Sequence, residues 1–178
     1  MRFAHIILSL WELDCTLRVQ SNSQTTKFSL KKNIWGCFFK DKLGDIHIFN
    51  ENMDANKYIQ ILKDYLIPII DNYDKELIFQ HDNDPKHKAN KTKDFLSDNN
   101  IIVFNWPSCS PDISPIENVW GILKDRVIRC KSKTAEEFVK NIIYEWNNFD
   151  ITILKSLINS MPYRILQLIE NKGDYLMY

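Results

Sequence analysis

Apolar and polar positions change period several times along the 178 residues, and each change marks a predicted element. Residues 3–10 are rich in Ile and Leu with weak alternation, which predicts a buried strand. Residues 16–31 are polar and mixed, including Gln20-Ser21-Asn22-Ser23-Gln24-Thr25-Thr26, and read as a loop. Asn33-Ile34-Trp35-Gly36-Cys37-Phe38-Phe39 reads as a strand, 40–44 as a turn, and Asp45-Ile46-His47-Ile48-Phe49 as the partner strand. From Asp54, a predicted N-cap, the period becomes helical. Tyr58, Ile61, Leu62, Tyr65, Leu66 and Ile69 share one face to about residue 70, with Pro68 near the end. Glu76-Leu77-Ile78-Phe79-Gln80 is a short apolar strand.

Asp84-Pro85 starts a helix with the acid at the N-cap and proline at the first helical position, and that helix should end at 98–100. Ile101-Ile102-Val103-Phe104 is another strand, followed by a Pro-rich, rigid loop over 106–111. A helix from Pro115 carries Ile116, Val119, Trp120, Leu123 and Val127 on one side. Thr134 caps the next, whose apolar side is Phe138, Ile142, Ile143 and Trp146. Residues 150–170 predict one or two short helices broken at Met161-Pro162, and 172–178 an extended tail. Three strands, then alternating helix and strand, then extra C-terminal helices imply an α/β fold. Its mixed sheet is flanked by helices, in the order expected of a ribonuclease H-like domain.

Length and composition add limits. The chain fits one domain with a continuous core, and 44% hydrophobic and 12% aromatic residues argue against disorder. Lys plus Arg and Asp plus Glu number 23 each, so any nucleic-acid surface must be a local patch. Cys15, Cys37, Cys109 and Cys130 are far apart and form no zinc motif or disulfide framework. The apolar N-terminal run is too short and too interrupted for a signal peptide, and no stretch approaches a membrane span.

The stretch from Gln80 to Arg126 carries the candidate chemistry. Asp82 follows a buried strand, at the carboxyl end where open α/β sheets place functional crevices. Glu117 stands in the first turn of a later helix, with 34 residues between the two acids. Phosphodiester chemistry with two divalent ions needs carboxylates that converge from separate elements. Glu117 also completes a capping box in Ser114-Pro115-Ile116-Glu117, and Asp82 also suits a turn. Gly121, one turn on, leaves space beside Glu117, which suits a site. Asp84 and Asp112 read as N-cap and loop residues. Lys86, His87, Lys88, Lys91 and Lys93 form a basic run at a helix start, fit either to hold DNA phosphates or to face solvent. His81 and His87 have no further His or Cys at metal-ligand spacing.

Several motifs together resemble the catalytic domain of Tc1/mariner transposases. They are Phe79-Gln80-His81-Asp82-Asn83-Asp84-Pro85-Lys86-His87, Trp106-Pro107, Ser110-Pro111-Asp112 and Pro115-Ile116-Glu117-Asn118-Val119-Trp120. The 34-residue spacing ending in Glu is similar to the Tc1 branch. Trp35-Gly36-Cys37-Phe38, Met53-Asp54-Ala55-Asn56-Lys57-Tyr58, Trp146, Ser160-Met161-Pro162-Tyr163-Arg164 and Lys172-Gly173-Asp174-Tyr175 extend the likeness over 32–178, leaving 1–31 as a divergent or truncated segment.

The resemblance implies a DDE domain that cuts transposon ends and joins them to target DNA with Mg²⁺ or Mn²⁺. Double-stranded DNA would be its partner, a homodimer its option, and the nucleus its place in a eukaryotic host. Asp82 would be the family's second acid and Glu117 its third, both metal ligands. The first acid belongs on the first strand in a Ser-Asp-Glu context, further upstream of the second than the 81 residues that precede Asp82. Here Ile6-Ile7-Leu8-Ser9 is followed by Leu10 and Trp11, and Asp14 is the nearest substitute. Four residues of strand is roughly 13 Å, too far for a direct exchange. The family's helix-turn-helix region has no counterpart in the sequence, so an N-terminally truncated member is expected. Two readings follow: a DDE enzyme with impaired cleavage and strand transfer, or an inactive transposase-derived module that binds nucleic acid or another partner.

Overall fold

The computed structural model describes residues 4–21, 24–39, 42–72, 77–105 and 113–172, with side chains from residue 31 onward. One mixed sheet runs β3-β2-β1-β5-β6, with β4 also on β2. β1 (Ala4–Ser21) and β2 (Gln24–Phe39) are antiparallel, from Ile6 opposite Phe39 to Ser21 opposite Gln24. The predicted loop over 16–31 is therefore mostly paired strand. Its polar residues masked β-favouring ones: Leu17 and Val19 alternate with Arg18 and Gln20, and Thr25, Thr26, Phe28 and Leu30 follow. β5 (Leu77–Gln80) runs parallel to β1, and β6 (Ile102–Val103) parallel to β5.

β2 explains why the sheet is covered on both sides. Trp35, Cys37 and Phe39 enter one core with Phe49, Tyr58, Leu62, Phe79 and Leu96. The alternate residues Ile34 and Phe38 enter a second core with Trp120, Leu123, Phe138, Ile142, Trp146 and Leu154. A strand buried on both faces reads as an unbroken apolar run, as Ile34–Phe39 does. Gly36 falls between Ile34 and Phe38 on the second face because a Cβ there would lie 2.8 Å from the Trp146 ring and 2.9 Å from the Trp120 ring.

The partner of β2 is split into β3 (Lys42–Leu43) and β4 (His47–Phe49). Phe38 faces Leu43 but Trp35 faces His47, a one-residue slip characteristic of a bulge. Gly44 sits in the slip and bonds through N–H to the Cys37 carbonyl at 2.9 Å; any Cβ there would overlap the Cys37 sulfur. Burial pushes the Cys37 thiol up to about 12. In the native chain at pH 8, iodoacetamide should therefore label exposed Cys130 and leave Cys37 untouched until unfolding, as read by peptide mass.

The first helix runs as α1 (Ala55–Ile61), a π-helical stretch (Leu62–Leu66) and α2 (Ile67–Asp71). The Asp54 side chain accepts from Lys57 N–H, as its N-cap role requires. The wide turn immediately precedes Pro68, whose ring has no N–H and would crowd the Asp64 carbonyl in an ordinary helix. The predicted helix from Pro85 is two pieces, α3 (Pro85–Lys88) and α4 (Asn90–Asp98), separated at Ala89 with ψ 140. The Thr92 hydroxyl, fully buried, donates to the Lys86 carbonyl at 2.8 Å and compensates the break.

α5 (Pro115–Arg129) and α6 (Ala135–Asn147) bury the faces expected of them, except that Ile143 is exposed. The Thr134 hydroxyl caps α6 by accepting from Glu137 N–H. α7 (Ile151–Glu170) passes through Pro162 without breaking, contrary to the expected stop. The lost N–H at 162 is flanked by side-chain bonds: Ser160 to the Leu157 carbonyl, and buried Arg164 Nε to Ser160 Oγ. The loop over 106–112 and the tail over 173–178 lie outside the described residues. No described helix is long and apolar enough to cross a membrane.

Candidate metal and nucleic-acid site

Asp82 stands two residues beyond β5, the strand between β1 and β6. Its side chain is 58% exposed, yet one oxygen is held firmly. Oδ1 meets His87 Nδ1 at 2.5 Å and accepts the Asp84 N–H at 3.1 Å. Partial burial pushes the Asp82 carboxyl up, but the His87 hydrogen bond and the Asp84 amide outweigh it and hold the group below its ordinary value.

A buried aromatic array backs this carboxylate. His87 is only 2% exposed. Its ring lies 4.1 Å from the Tyr58 ring and stacks on His81 at 5.1 Å. Tyr58 is also buried, and its hydroxyl meets His81 Nδ1 at 3.0 Å. Burial, then the charges of Asp82 and Asp84, raise the Tyr58 phenol well above its ordinary value. Burial, then the neighbouring His87, push His81 down to about 4, against the pull of Asp82. At neutral pH the phenol therefore keeps its proton and His81 is uncharged, and the two share one hydrogen bond. From sequence Tyr58 is only an apolar helix position and the end of the Met53–Tyr58 motif; the available signal is that a buried tyrosine hydroxyl needs a partner.

The basic run is divided by its environment. The Lys86 ammonium is tied to Asp84 at 2.5 Å, and Asp84 also caps α3 by accepting from Lys86 N–H at 3.0 Å. The start of this four-residue helix is thus already occupied by a carboxylate. Lys91 reaches back to Asn56 at 2.7 Å. Lys88 and Lys93 are exposed and line an open cavity of about 440 Å³ with Asp82, Asn83, Phe104 and Asn105. Of the five residues, Lys88, Lys93 and His87 border the space beside Asp82, and His87 is also bonded to the carboxylate itself.

Glu117 is exposed in the first turn of α5, which packs against β1. Its N–H bonds to the Ser114 carbonyl at 3.2 Å, but the Ser114 side chain makes no capping bond, so the serine half of the expected capping box does not form. A Cβ at Gly121 would meet nothing within 4 Å, so helix packing does not demand this glycine.

The strand register locates the position beside Asp82. Ile7 pairs with Gln80, the last pair of the β1–β5 register, at an offset of 80 − 7 = 73; carried on past the strand end, that offset would bring Ser9 to the level of Asp82 (82 − 73 = 9). Neither Ser9 nor the following Leu10 is an acid. Asp14 lies five residues further along, roughly 16 Å of strand, and pairs with Lys31. Among the described residues no three His, Cys, Asp or Glu side chains gather as a metal site. Asp82 and Glu117 offer oxygen donors, the type a hard divalent ion prefers, and two such acids do not make a three-acid site.

Comparison with known proteins adds to this geometry. The family described as DDE superfamily endonuclease matches residues 21–139. The Tc3 transposase of Caenorhabditis elegans is 32% identical over 149 residues, covering 82% of this chain and 45% of that protein. The Tc1 transposase of the same organism is 29% identical over 146 residues, with 82% and 54% covered. The chain thus spans about half the length of the curated relatives it matches. Among solved structures, the mariner Mos1 paired end complex with Mg superposes with a TM-score of 0.80 at 18% identity, over 97% of this chain and 56% of that one. At such identity the likeness is one of fold, and it matches the ribonuclease H-like architecture read from the element order.

Proposed function

We propose that this chain, which belongs to the DDE superfamily endonucleases and is of the Tc1/mariner transposase type, binds double-stranded DNA and performs metal-dependent strand cleavage and transfer only weakly. The observation that carries the reading is the carboxylate of Asp82, fixed at the end of β5 beside a cavity bordered by Lys88 and Lys93, with Ser9 of β1 brought to its level when the β1–β5 register is carried on.

Asp82 and Glu117 are the residues that would hold Mg²⁺ or Mn²⁺, the ions named with solved Mos1 catalytic domains. A divalent ion bound there would polarise the phosphate and lower the proton affinity of water or of a DNA 3′-hydroxyl. Lys88 and Lys93 bind backbone phosphates along the cavity, and Asp82 keeps a fixed orientation through His87. With Ser9, Leu10 and Trp11 where the resemblance places the first acid, and Glu12 and Asp14 further along β1, two carboxylates stand where the chemistry uses three, hence the weak cleavage. This arrangement equally favours a second reading, an inactive DNA-binding module. Two copies pairing two transposon ends, as in the paired end complex of Mos1, and a nuclear setting in a eukaryotic host belong to the same proposal.

A titration of Mg²⁺ and Mn²⁺ in a cleavage assay on double-stranded DNA should give weak or no product. DNA binding should fall steeply with salt, and Lys88→Ala or Lys93→Ala should each reduce the salt slope by about one. Asp82→Ala should leave that binding intact. Robust cleavage abolished by Asp82→Ala would overturn the impairment, and no binding at low salt would overturn the DNA reading altogether.

A further inference from the structure

We infer that His87 is a positioning residue: it fixes the Asp82 carboxylate so that only Oδ2 is presented to a divalent ion. The inference rests on the metal reading above and adds to it which atom binds and what holds it.

Three observations carry it. First, Oδ1 of Asp82 has two donors, His87 Nδ1 at 2.5 Å and the Asp84 N–H at 3.1 Å, which saturate its in-plane lone pairs. Oδ2 then faces the solvent side of a carboxylate whose side chain is 58% exposed. Second, His87 Nε2 is buried without a hydrogen-bond partner. An ionised carboxylate can only accept, so the 2.5 Å contact places a hydrogen on Nδ1, where it is donated to Asp82, and no second partner draws the ring toward Nε2. Third, the ring cannot turn away. It is held between Tyr58 at 4.1 Å and His81 at 5.1 Å, and the Tyr58–His81 hydrogen bond locks those two rings to each other. His87 itself sits in a four-residue helix braced by the Asp84 cap and by Thr92 on the Lys86 carbonyl.

The chemical consequence is a monodentate ligand of fixed direction. Oxygen-ligated ions of this class demand defined geometry, and a carboxylate free to rotate must lose that freedom on binding. Donation to one oxygen removes the rotation in advance. The basic run at 86–93 thus contains one residue that serves the acid site, among lysines that serve the DNA or the fold.

The test uses the whole chain without DNA. Mn²⁺ binding is followed by electron paramagnetic resonance of the free ion, and the His87 ring by ¹⁵N NMR at fixed pH. The parent should show hydrogen on Nδ1, with the Nδ1 signal displaced in Asp82→Ala. His87→Ala should weaken Mn²⁺ binding by roughly 10–100-fold, the range found for residues that orient metal ligands. His87→Asn should restore most of it, because the asparagine Nδ2–H₂ occupies the place of Nδ1–H; a residue that merely filled space would not be rescued by this smaller polar group. Cooperative thermal unfolding of each variant establishes that it is folded. An Nδ1 without hydrogen in the parent overturns the inference, as does Mn²⁺ binding in folded His87→Ala equal to the parent, or no recovery in His87→Asn. A parent chain that binds no Mn²⁺ overturns the metal reading itself and this inference with it, whereas parent-like binding in His87→Ala overturns the inference alone.

Discussion

Trp146→Ala is expected to lower the stability of the fold by about 3–5 kcal/mol, the range for removing a large buried aromatic. Trp146 is 1% exposed, stacks on Trp120 with ring centres 5.1 Å apart, and donates its Nε1–H to the Gly44 carbonyl at 2.9 Å. That one side chain joins α6 to α5, to β2 at Gly36 and to the bulge that divides β3 from β4. Its removal leaves a cavity against Trp120 and an unpaired carbonyl at Gly44. Domains of this size are stable by roughly 5–15 kcal/mol, so the loss is a large fraction of the total. In urea the midpoint should fall with little change in slope. Gly36→Ala tests the same contact from the other side: its new Cβ would meet two indoles that are fully buried and cannot yield, at a cost of about 1–3 kcal/mol. A loss below about 1 kcal/mol for Trp146→Ala would mean that the helical layer on this face is outside the cooperative core.

Much of this architecture is legible in the chain because local signals and tertiary demands agree. Ile34–Phe39 reads as a strand buried on both faces and is one. The apolar spacing from Ile116 to Val127 and the caps at Asp54, Asp84 and Thr134 all reappear in the structure. Where the sequence misleads, a local rule meets a non-local contact. The polar stretch over 16–31 becomes strand because each half pairs with the other, which composition does not register. α7 continues through Pro162 because a single lost backbone bond is small beside the packing of a 20-residue helix.

The candidate site divides in the same way. Asp82 is visible as an acid at a strand end. His87 is not separable from its lysine neighbours until the break at Ala89 and the arrival of Tyr58, 29 residues earlier in the chain, set which side of α3 is buried (87 − 58 = 29). Likewise the first-acid position becomes a place, near Ser9 on β1, only when the β1–β5 register is carried past its last pair, Ile7 with Gln80.

Acidification should expose the buried array behind Asp82 as a stability effect. His81 is pushed from its ordinary 6.5 to about 4, chiefly by burial. Between those values the unfolded chain takes up a proton that the native chain refuses. Stability therefore rises with pH in this window: it is fully present above 6.5 and is lost progressively as pH falls toward 4. A displacement of that size corresponds to about 3 kcal/mol over the window, an upper figure because the ring keeps some contact with solvent. Asp82 contributes with a different timing, since its lowered carboxyl gives up stability only as the pH falls below the ordinary 3.8. His47 is shifted the same way as His81 by burial and by Lys57, so the total slope is not the measure. The measure is the difference between the parent and His81→Gln, which keeps an acceptor for the Tyr58 hydroxyl and cannot titrate. Urea midpoints collected from pH 7 to pH 4.5 in the presence of a chelator should fall more steeply in the parent than in His81→Gln. Parallel slopes would show that His81 takes up its proton as readily in the native chain as in the unfolded one.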